Sequence, residues 1–317
     1  MRKAPTIDEI QRIEHRLSLH DLRVLIVVAQ AGSMSGAARL LATSQPSVSR
    51  SIGELEHALG VRLLDRSANG IEPTPFGRAL LKRGATIFDE LSHGIKDIRF
   101  LSDATHGEVT IGASIAIAEG LVANVITRIS RTHPRITFQV HATDTATAYR
   151  ALLDRKVDLA VVHIIDPPAG DLMAVEPLLD DPQVVVAGAH NPLARRRRLS
   201  LAQLVEEPWV LPLPHQPYGA VVLEAFRAQG LPLPSTIVGS TLPLRTSLLV
   251  TGPFLSIVPR VAMQFPPKNR LLKALPIELP GTARPLALVT LKNRTLNPLA
   301  HVFADYVRAA AKPLRRP

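Results

Sequence analysis

The chain has no cysteine, few aromatics and no long apolar run, and each of these lacks removes a class of function. With 0 Cys in 317 residues, a disulfide framework, a thiolate zinc site, an iron–sulfur cluster and a cysteine nucleophile are all excluded. Aromatics make up 4% (8 Phe, 3 Tyr, 1 Trp), too few for a platform that stacks single-stranded bases. No apolar stretch approaches the roughly 18 residues that span a bilayer. The start, MRKAPTIDEIQRIEHR, is charged throughout and has no apolar signal core, so a cytoplasmic chain with no membrane partner is expected. What is present is ordinary globular material. Hydrophobic residues at 46% and charged residues at 20% exclude disorder as the main state, and the length suggests about two domains.

The net charge of +10 points to a polyanion as partner. Its distribution does not locate the contact. Residues 1–105 hold 14 basic and 12 acidic side chains, a net of +2, and residues 106–317 hold 23 and 15, a net of +8.

The first hundred residues read as helices. Leu22, Leu25, Ile26 and Ala29 recur at helical spacing and Gly32 ends that helix. Ser33 or Ser35 can cap a second helix, whose apolar face is Ala37, Ala38 and Leu41. Ser44 then caps a third, with Pro46 in its first turn, Gly60 just past its end, and Val48, Ile52, Leu55 and Leu59 as its buried stripe. Two short helices joined this tightly form a helix-turn-helix. Asn69-Gly70 turns a hairpin after it, a β-wing. Residues 75–102 form one long helix whose seam, Leu80, Ile87, Leu91, Ile98 and Leu101, suits pairing with a second copy. From residue 107 strands and helices alternate, predicting two α/β lobes, the first with a parallel sheet, and a cleft between them.

In a helix-turn-helix the second helix enters the major groove of duplex DNA. Its exposed side here carries Gln45, Pro46, Ser47, Ser49, Arg50 and Glu54. Gln suits adenine and Arg suits guanine through paired hydrogen bonds, while Ser suits bases or phosphates. In open α/β sheets ligands gather at the carboxyl ends of strands. That rule selects Ser114, Ile115, Ala116, Thr143, Asp144, Thr145 and His163 in the first lobe, and Pro212, Ser240, Thr241 and Leu242 in the second. His163 reads as structural more readily than as a sensor, and the pattern commits no charged residue to the cleft, so hydrogen-bonded recognition is expected. Nucleophile-elbow, P-loop, zincin and dinucleotide fingerprints are missing. The eleven His are scattered, and no metal, cofactor or catalytic group is expected. Arg195 to Arg198 read as a solvated loop, and Asn293-Arg294-Thr295 as a meaningless glycosylation match.

Together the stretches L-x-x-L-x-x-V-A-x-x-G-S-x-S-x-A-A-x-x-L, S-Q-P-S-V-S-R-S-I-x-x-L-E-x-x-L-G-x-x-L-L-x-R and T-P-F-G resemble the LysR-type transcriptional regulators. The anchoring residues include Gly32, Ser33, Ala37, Ser44, Gln45, Pro46, Ser49, Glu56, Gly60, Arg66, Thr74 and Gly77. The resemblance covers the whole chain and implies an α+β multidomain protein. Its parts are an N-terminal extension (1–18), a winged helix-turn-helix (19–77), a linker and dimerisation helix (78–105) and a bilobed periplasmic-binding-protein-like effector domain (106–317). Lobe 1 takes about 106–177 and 283–312, and lobe 2 about 178–282. It implies a ligand-responsive DNA-binding regulator that reads an imperfect inverted repeat through Ser33, Ser44, Gln45, Pro46, Ser47, Ser49, Arg50 and Arg66. A homodimer or dimer of dimers, a carboxylate or sugar effector, and RNA polymerase are its expected partners. The wording PWVLPLPHQP is like that of a subgroup linked to sugar-binding-protein and aromatic-acid catabolic operons. Three positions depart from the pattern: Leu64 stands where Phe is typical, the wing lacks its usual Arg or Lys, and the start is longer. A solute-binding protein and an enzyme on the same bilobed fold are the alternatives; the missing signal and missing catalytic group weigh against them.

Overall fold

The computed structural model describes residues 11, 13–67, 70–103, 106–213, 217–234, 237–239, 242–266 and 268–315. Two compact units divide the chain, residues 1–94 and 95–317, and no described helix is long and apolar enough to cross a membrane.

The first unit is built from caps and one apolar core. Helix α1 (Leu19–Ala31) starts where the Ser18 side chain accepts the Asp21 N–H, and stops at Gly32, whose φ of 65° is left-handed. Ser33 then accepts the Gly36 N–H at 3.1 Å and starts α2 (Met34–Leu40), so Ser33 rather than Ser35 is the cap. Helix α3 (Gln45–Leu59) runs from its cap Ser44 to a left-handed Gly60. Leu25, Val28, Ala37, Val48, Ile52 and Leu55 close into one core, and Leu59 packs at its edge. Strands β1 (Leu64–Ser67) and β2 (Gly70–Pro73) pair antiparallel as the wing. The Ile71 N–H donates to Gly32 O at 3.0 Å, which ties the wing to the end of α1.

Helix α4 (Pro75–Ser102) follows. Thr74 starts it, accepting the Gly77 N–H at 3.0 Å and donating to Arg62 O at 2.8 Å. Gly77 is required by space: a Cβ there would stand 2.0 Å from the Leu63 carbonyl oxygen. The division between the compact units falls at Gly94, inside this helix.

The second unit has two sheets. The first has the order β4-β3-β5-β12-β6, with β3 (His106–Ser114), β4 (Arg135–Thr143), β5 (Leu159–His163), β6 (Met173–Asp181) and β12 (Arg284–Leu291). The second has the order β11-β7-β10-β8-β9, with β7 (Gln183–Gly188), β8 (Trp209–Leu211), β9 (Ile237–Gly239), β10 (Leu255–Pro259) and β11 (Leu272–Ala274). Strands β4, β3 and β5 are parallel, but β12 runs antiparallel to both β5 and β6. The expected parallel sheet is therefore mixed, because the chain returns from the second lobe in the opposite direction. Strand β6 stays in the first sheet through Asp181, so the crossing falls at Pro182, beyond residue 177. A second crossing lies beside it, where the Gln183 N–H donates to Thr282 Oγ1 at 3.2 Å.

Helices cover the sheets. In the first lobe these are α5 (Ile115–Ile117), a π-turn (Ala118–Val122), α6 (Ala123–Thr132), α7 (Thr145–Leu153) and α11 (Pro298–Ala311). The second lobe has α8 (Pro217–Arg227), α9 (Leu242–Thr251) and α10 (Lys268–Leu271). Trp209 and Phe226 meet edge to face, ring centroids 5.5 Å apart, at the centre of the second lobe's core. Residues 200–206 hold only the short 3₁₀ turn Leu201–Leu204.

Candidate DNA-reading face and effector cleft

Burial of Val48, Ile52 and Leu55 leaves one side of α3 outside the core. Gln45, Pro46, Ser47, Arg50 and Glu54 are exposed, and Ser49 is half-buried. Ser44 is exposed as well, but its hydroxyl accepts the Ser47 N–H at 3.3 Å and is hydrogen-bonded to Ser47 Oγ at 3.0 Å. Ser33 and Ser44 therefore do their first work as caps. They fix the helix starts and leave the positive end of α3 turned to solvent, where it favours a phosphate. The Arg66 side chain and residues 68–69 lie outside the described residues; Arg62 beside the wing is exposed.

Glu56 has a role its sequence position did not reveal. Its Oε1 accepts the N–H groups of Leu63 and Leu64 at 2.7 and 3.2 Å, binding the wing's entry to α3. On α4, Ile87, Leu91, Ile98 and Leu101 are 43%, 45%, 66% and 82% exposed. Leu80 differs from the rest of that seam, since it packs on the helix-turn-helix core. Asp89, Glu90 and His93 bring their ligand atoms within 4.8 Å of one another on α4. His93 forms an i, i+4 pair with Asp89 at 3.8 Å.

The strand-end residues of the first lobe do converge. Ser114 and Thr143 are register partners at the carboxyl ends of β3 and β4. Thr145 Oγ1 donates to the His163 carbonyl at 3.1 Å, drawing the start of α7 onto the end of β5. Ser114 is buried and its Oγ has no hydrogen-bond partner among the described residues. Asp144 caps α7. Burial raises its carboxyl, but hydrogen bonds from the Thr147 side chain and backbone outweigh that and hold it below the usual range.

Other strand-end residues have structural employment. Ile115 and Ala116 join an apolar cluster with Val186, Val210, Leu249 and Val258 of the second lobe. His163 is fully buried, and its Nε2 lies 2.8 Å from Asp181 Oδ2. Asp181 Oδ1 also accepts the Val261 N–H at 3.0 Å, so one carboxylate links both lobes at the crossing. Tyr218 of α8 stands edge-on to the His163 ring, centroids 5.7 Å apart. Burial pushes its phenol well above its usual range, and nearby Asp181 adds to this against the opposing Arg284. Pro212 is buried, Ser240 and Thr241 lie outside the described residues, and the Leu242 side chain is likewise not described.

Residues that sequence reasoning missed are Asp181, Tyr218, Arg245 and Lys268. The signal for Arg245 was a lone cation inside the apolar helix LPLRTSLLVT. The structure buries Arg245 and Lys268 where the sequence pattern committed no charge. A cavity of about 750 Å³ sits at the lobe crossing, lined by Asp180, Asp181, Pro182, Arg260, Gln264 and Pro313 among others. A second, of about 540 Å³, is lined by Glu119, Thr246, Ser247 and Lys268 with their apolar neighbours. Arg195 to Arg198 are exposed. Arg294, by contrast, is buried against Asp158 at 3.3 Å.

Comparison with known proteins agrees with this architecture. The chain is 30% identical over 301 residues to the uncharacterized HTH-type transcriptional regulator YfeR of Shigella flexneri, covering 92% of this chain and 93% of that one. It is 27% identical over 305 residues to the HTH-type transcriptional regulator GbpR of Azospirillum brasilense, covering 94% and 88%. Full-length OxyR from Pseudomonas aeruginosa has the same fold, with a TM-score of 0.63 at 22% identity over 94% of this chain and 98% of that one. Residues 19–78 match the bacterial regulatory helix-turn-helix proteins of the lysR family, and residues 102–312 match the LysR substrate binding domain. The chain belongs to the LysR family of transcriptional regulators, a helix-turn-helix DNA-binding domain joined to an effector-binding domain.

Proposed function

We propose that the chain reads an imperfect inverted repeat in duplex DNA as a homodimer or dimer of dimers and changes its grip on that DNA when a small molecule binds between its lobes. The observation that carries the reading is the exposed Gln45–Arg50 edge of a capped α3 seated on a closed core. Gln45 and Arg50 contact base edges, Ser47 and Ser49 contact bases or phosphates, and Arg66 contacts phosphate. Pro46 with the caps Ser33 and Ser44 holds the helix start at the groove. Residues 19–77 form the reading domain, 78–105 the linker that carries the dimerisation helix, and 106–317 the effector domain. The apolar seam Ile87, Leu91, Ile98 and Leu101 pairs two chains, with Leu80 anchoring the helix to the reading domain. Ser114, Thr143 and Thr145, together with Ser240, Thr241 and Leu242, hold a carboxylate or sugar hydroxyl of the effector, while Ile115, Ala116 and His163 contribute their share of the site. The protein acts in the cytoplasm, without catalysis, and RNA polymerase is the partner through which bound DNA is read out. A ligand shifts such an assembly only by its unequal affinity for two arrangements, a coupling of about 1–3 kcal/mol.

Footprinting on the DNA upstream of the chain's own coding region tests this. Two protected half-sites, about one helical turn or a multiple apart, are expected. The double variant Ile87→Asp with Leu91→Asp is expected to lose most of that protection and to fall to single-chain mass in light scattering. An unprotected fragment with the parent, or an unchanged mass with the variant, contradicts the proposal.

A further inference from the structure

A cavity of about 190 Å³ lies where three elements of the second unit meet. The end of α4 lines it with Lys96 and Arg99, the start of β3 with Gly107 and Glu108, and the start of α11 with Asn297 and Leu299. Strand and helix are in close contact there: a Cβ added at Gly107 would stand 2.2 Å from Leu299 Cδ1.

Asn297 caps α11 and is 3% exposed. Its Oδ1 accepts the Ala300 N–H at 2.8 Å. That bond fixes which way round the amide sits, because only the oxygen can accept. The Nδ2 group is therefore a donor, and it has no hydrogen-bond partner among the described residues. A buried donor left unpaired costs free energy, which an acceptor brought beside it restores. The same end of this 14-residue helix is its positive end, where anions are favoured.

The charges on the wall call for the same kind of acceptor. Glu108 is occupied through both oxygens: Oε1 accepts from Gln139 Nε2, and Oε2 lies 4.0 Å from Lys96 Nζ. The Lys96 ammonium has three donors, so that one distant carboxylate leaves it able to hold a second acceptor. Arg99 is exposed, and its guanidinium has neither an ion pair nor a hydrogen bond among the described residues.

We propose that this cavity binds a small oxyanion, inorganic phosphate or sulfate or the phosphate group of a small ester, held by Asn297 Nδ2, Arg99 and Lys96 at the positive end of α11. Its volume suits one such ion with a few waters and is too small for a drug-sized ligand. None of the residues assigned to the effector lines it, so the proposal goes beyond that site and does not depend on it. The bound anion bridges the end of the linker helix to β3 and α11 of the effector domain, and so stiffens the joint between them.

The test titrates the full chain calorimetrically with sodium sulfate, sodium phosphate and sodium glycerol 3-phosphate, each matched in ionic strength with sodium chloride. Saturable binding of at least one probe, with a Kd below about 10 mM, is expected. Asn297→Asp keeps an oxygen for the Ala300 N–H but puts a negative charge where the donor stood. It is expected to melt at or above the parent's temperature, followed by circular dichroism, and to weaken anion binding more than about tenfold. Arg99→Gln, at an exposed position, is expected to weaken it about tenfold through the loss of one charge-assisted contact. If Asn297 serves only as a cap, Asn297→Asp binds every probe as the parent does, and the proposal fails. It fails equally if the parent binds no probe, or if Arg99→Gln binds as the parent does, a result that decides the matter even where Asn297→Asp folds poorly. Tighter binding of glycerol 3-phosphate than of phosphate identifies the ligand as a phosphate ester; equal or weaker binding identifies it as an inorganic ion.

Discussion

Replacing Glu56 by Ala should unfold the reading domain well before the rest of the chain. One oxygen, Oε1, accepts two backbone N–H groups at 2.7 and 3.2 Å. Both belong to residues that are nearly inaccessible, Leu63 at 1% and Leu64 at 4%. Each buried N–H left without an acceptor costs about 1–3 kcal/mol, so Glu56→Ala should cost about 2–6 kcal/mol with both left unsatisfied. Glu56→Gln keeps a carbonyl oxygen where Oε1 stands and loses only the charge assistance, about 1 kcal/mol. The assay exploits the single tryptophan. Trp209 is wholly buried in the second unit, so its fluorescence follows that unit alone, whereas far-ultraviolet circular dichroism follows both. One kcal/mol moves the midpoint of a small domain by about 4–8 °C. The dichroism transition of the first unit should therefore fall by about 10 °C or more in Glu56→Ala, with the fluorescence transition unmoved. A fall of only a degree or two, or equal falls in the Ala and Gln variants, would refute the reasoning.

Two further outcomes follow from the second unit. Asp181→Ala strands His163 Nε2 and the Val261 N–H together, so it should cost about 3–5 kcal/mol, read this time as an earlier fluorescence midpoint; a loss under about 1 kcal/mol would mean the crossing does not rest on that carboxylate. Asp144 has a lowered carboxyl value, so its cap contributes stability that is present above the ordinary 3.8 and is lost as the pH falls below it. Asp144→Asn, which keeps a cap, should leave stability near neutral pH almost unchanged and flatten the loss below pH 4; an acid limb identical to the parent's would contradict this, and the exposed position keeps the effect small.

How much of this was legible in the sequence depends on the range of the contacts involved. Caps and turns are local, so Ser44, Gly60, Asn69-Gly70 and the stripe Val48, Ile52 and Leu55 place the reading helix and wing from their spacing alone. Helix α4 likewise begins and ends where its pattern does. Strand β6 escaped because Pro177 sits in its middle and proline argues against a strand. A bulge absorbs it on this edge strand, where Ala287 pairs with Pro177 but Leu286 with Leu179. The direction of β12 was equally hidden, since it depends on how the chain returns from the other lobe. The strand-end rule names Ser114 and Thr143 together, and the sheet does make them register partners, because parallel register is a property of the sheet. Nothing local could pair Glu119 with Lys268, or Asp181 with His163 and Val261, because those partners meet only after both lobes have formed.

The central claim is that α3 reads base pairs and that the effector domain biases how it does so. It is tested most directly by titrating the full chain, at one fixed salt concentration, against its footprinted upstream duplex and against single-base variants of it, with the parent and with Arg50→Ala. The parent should lose about 1–3 kcal/mol at each base pair it reads. Arg50→Ala should lose a similar amount on the parent sequence and discriminate no longer at one base pair, with binding to unrelated DNA unchanged. Equal weakening on every sequence would make Arg50 a phosphate contact and would contradict the assignment of α3 as the reading helix's specific edge.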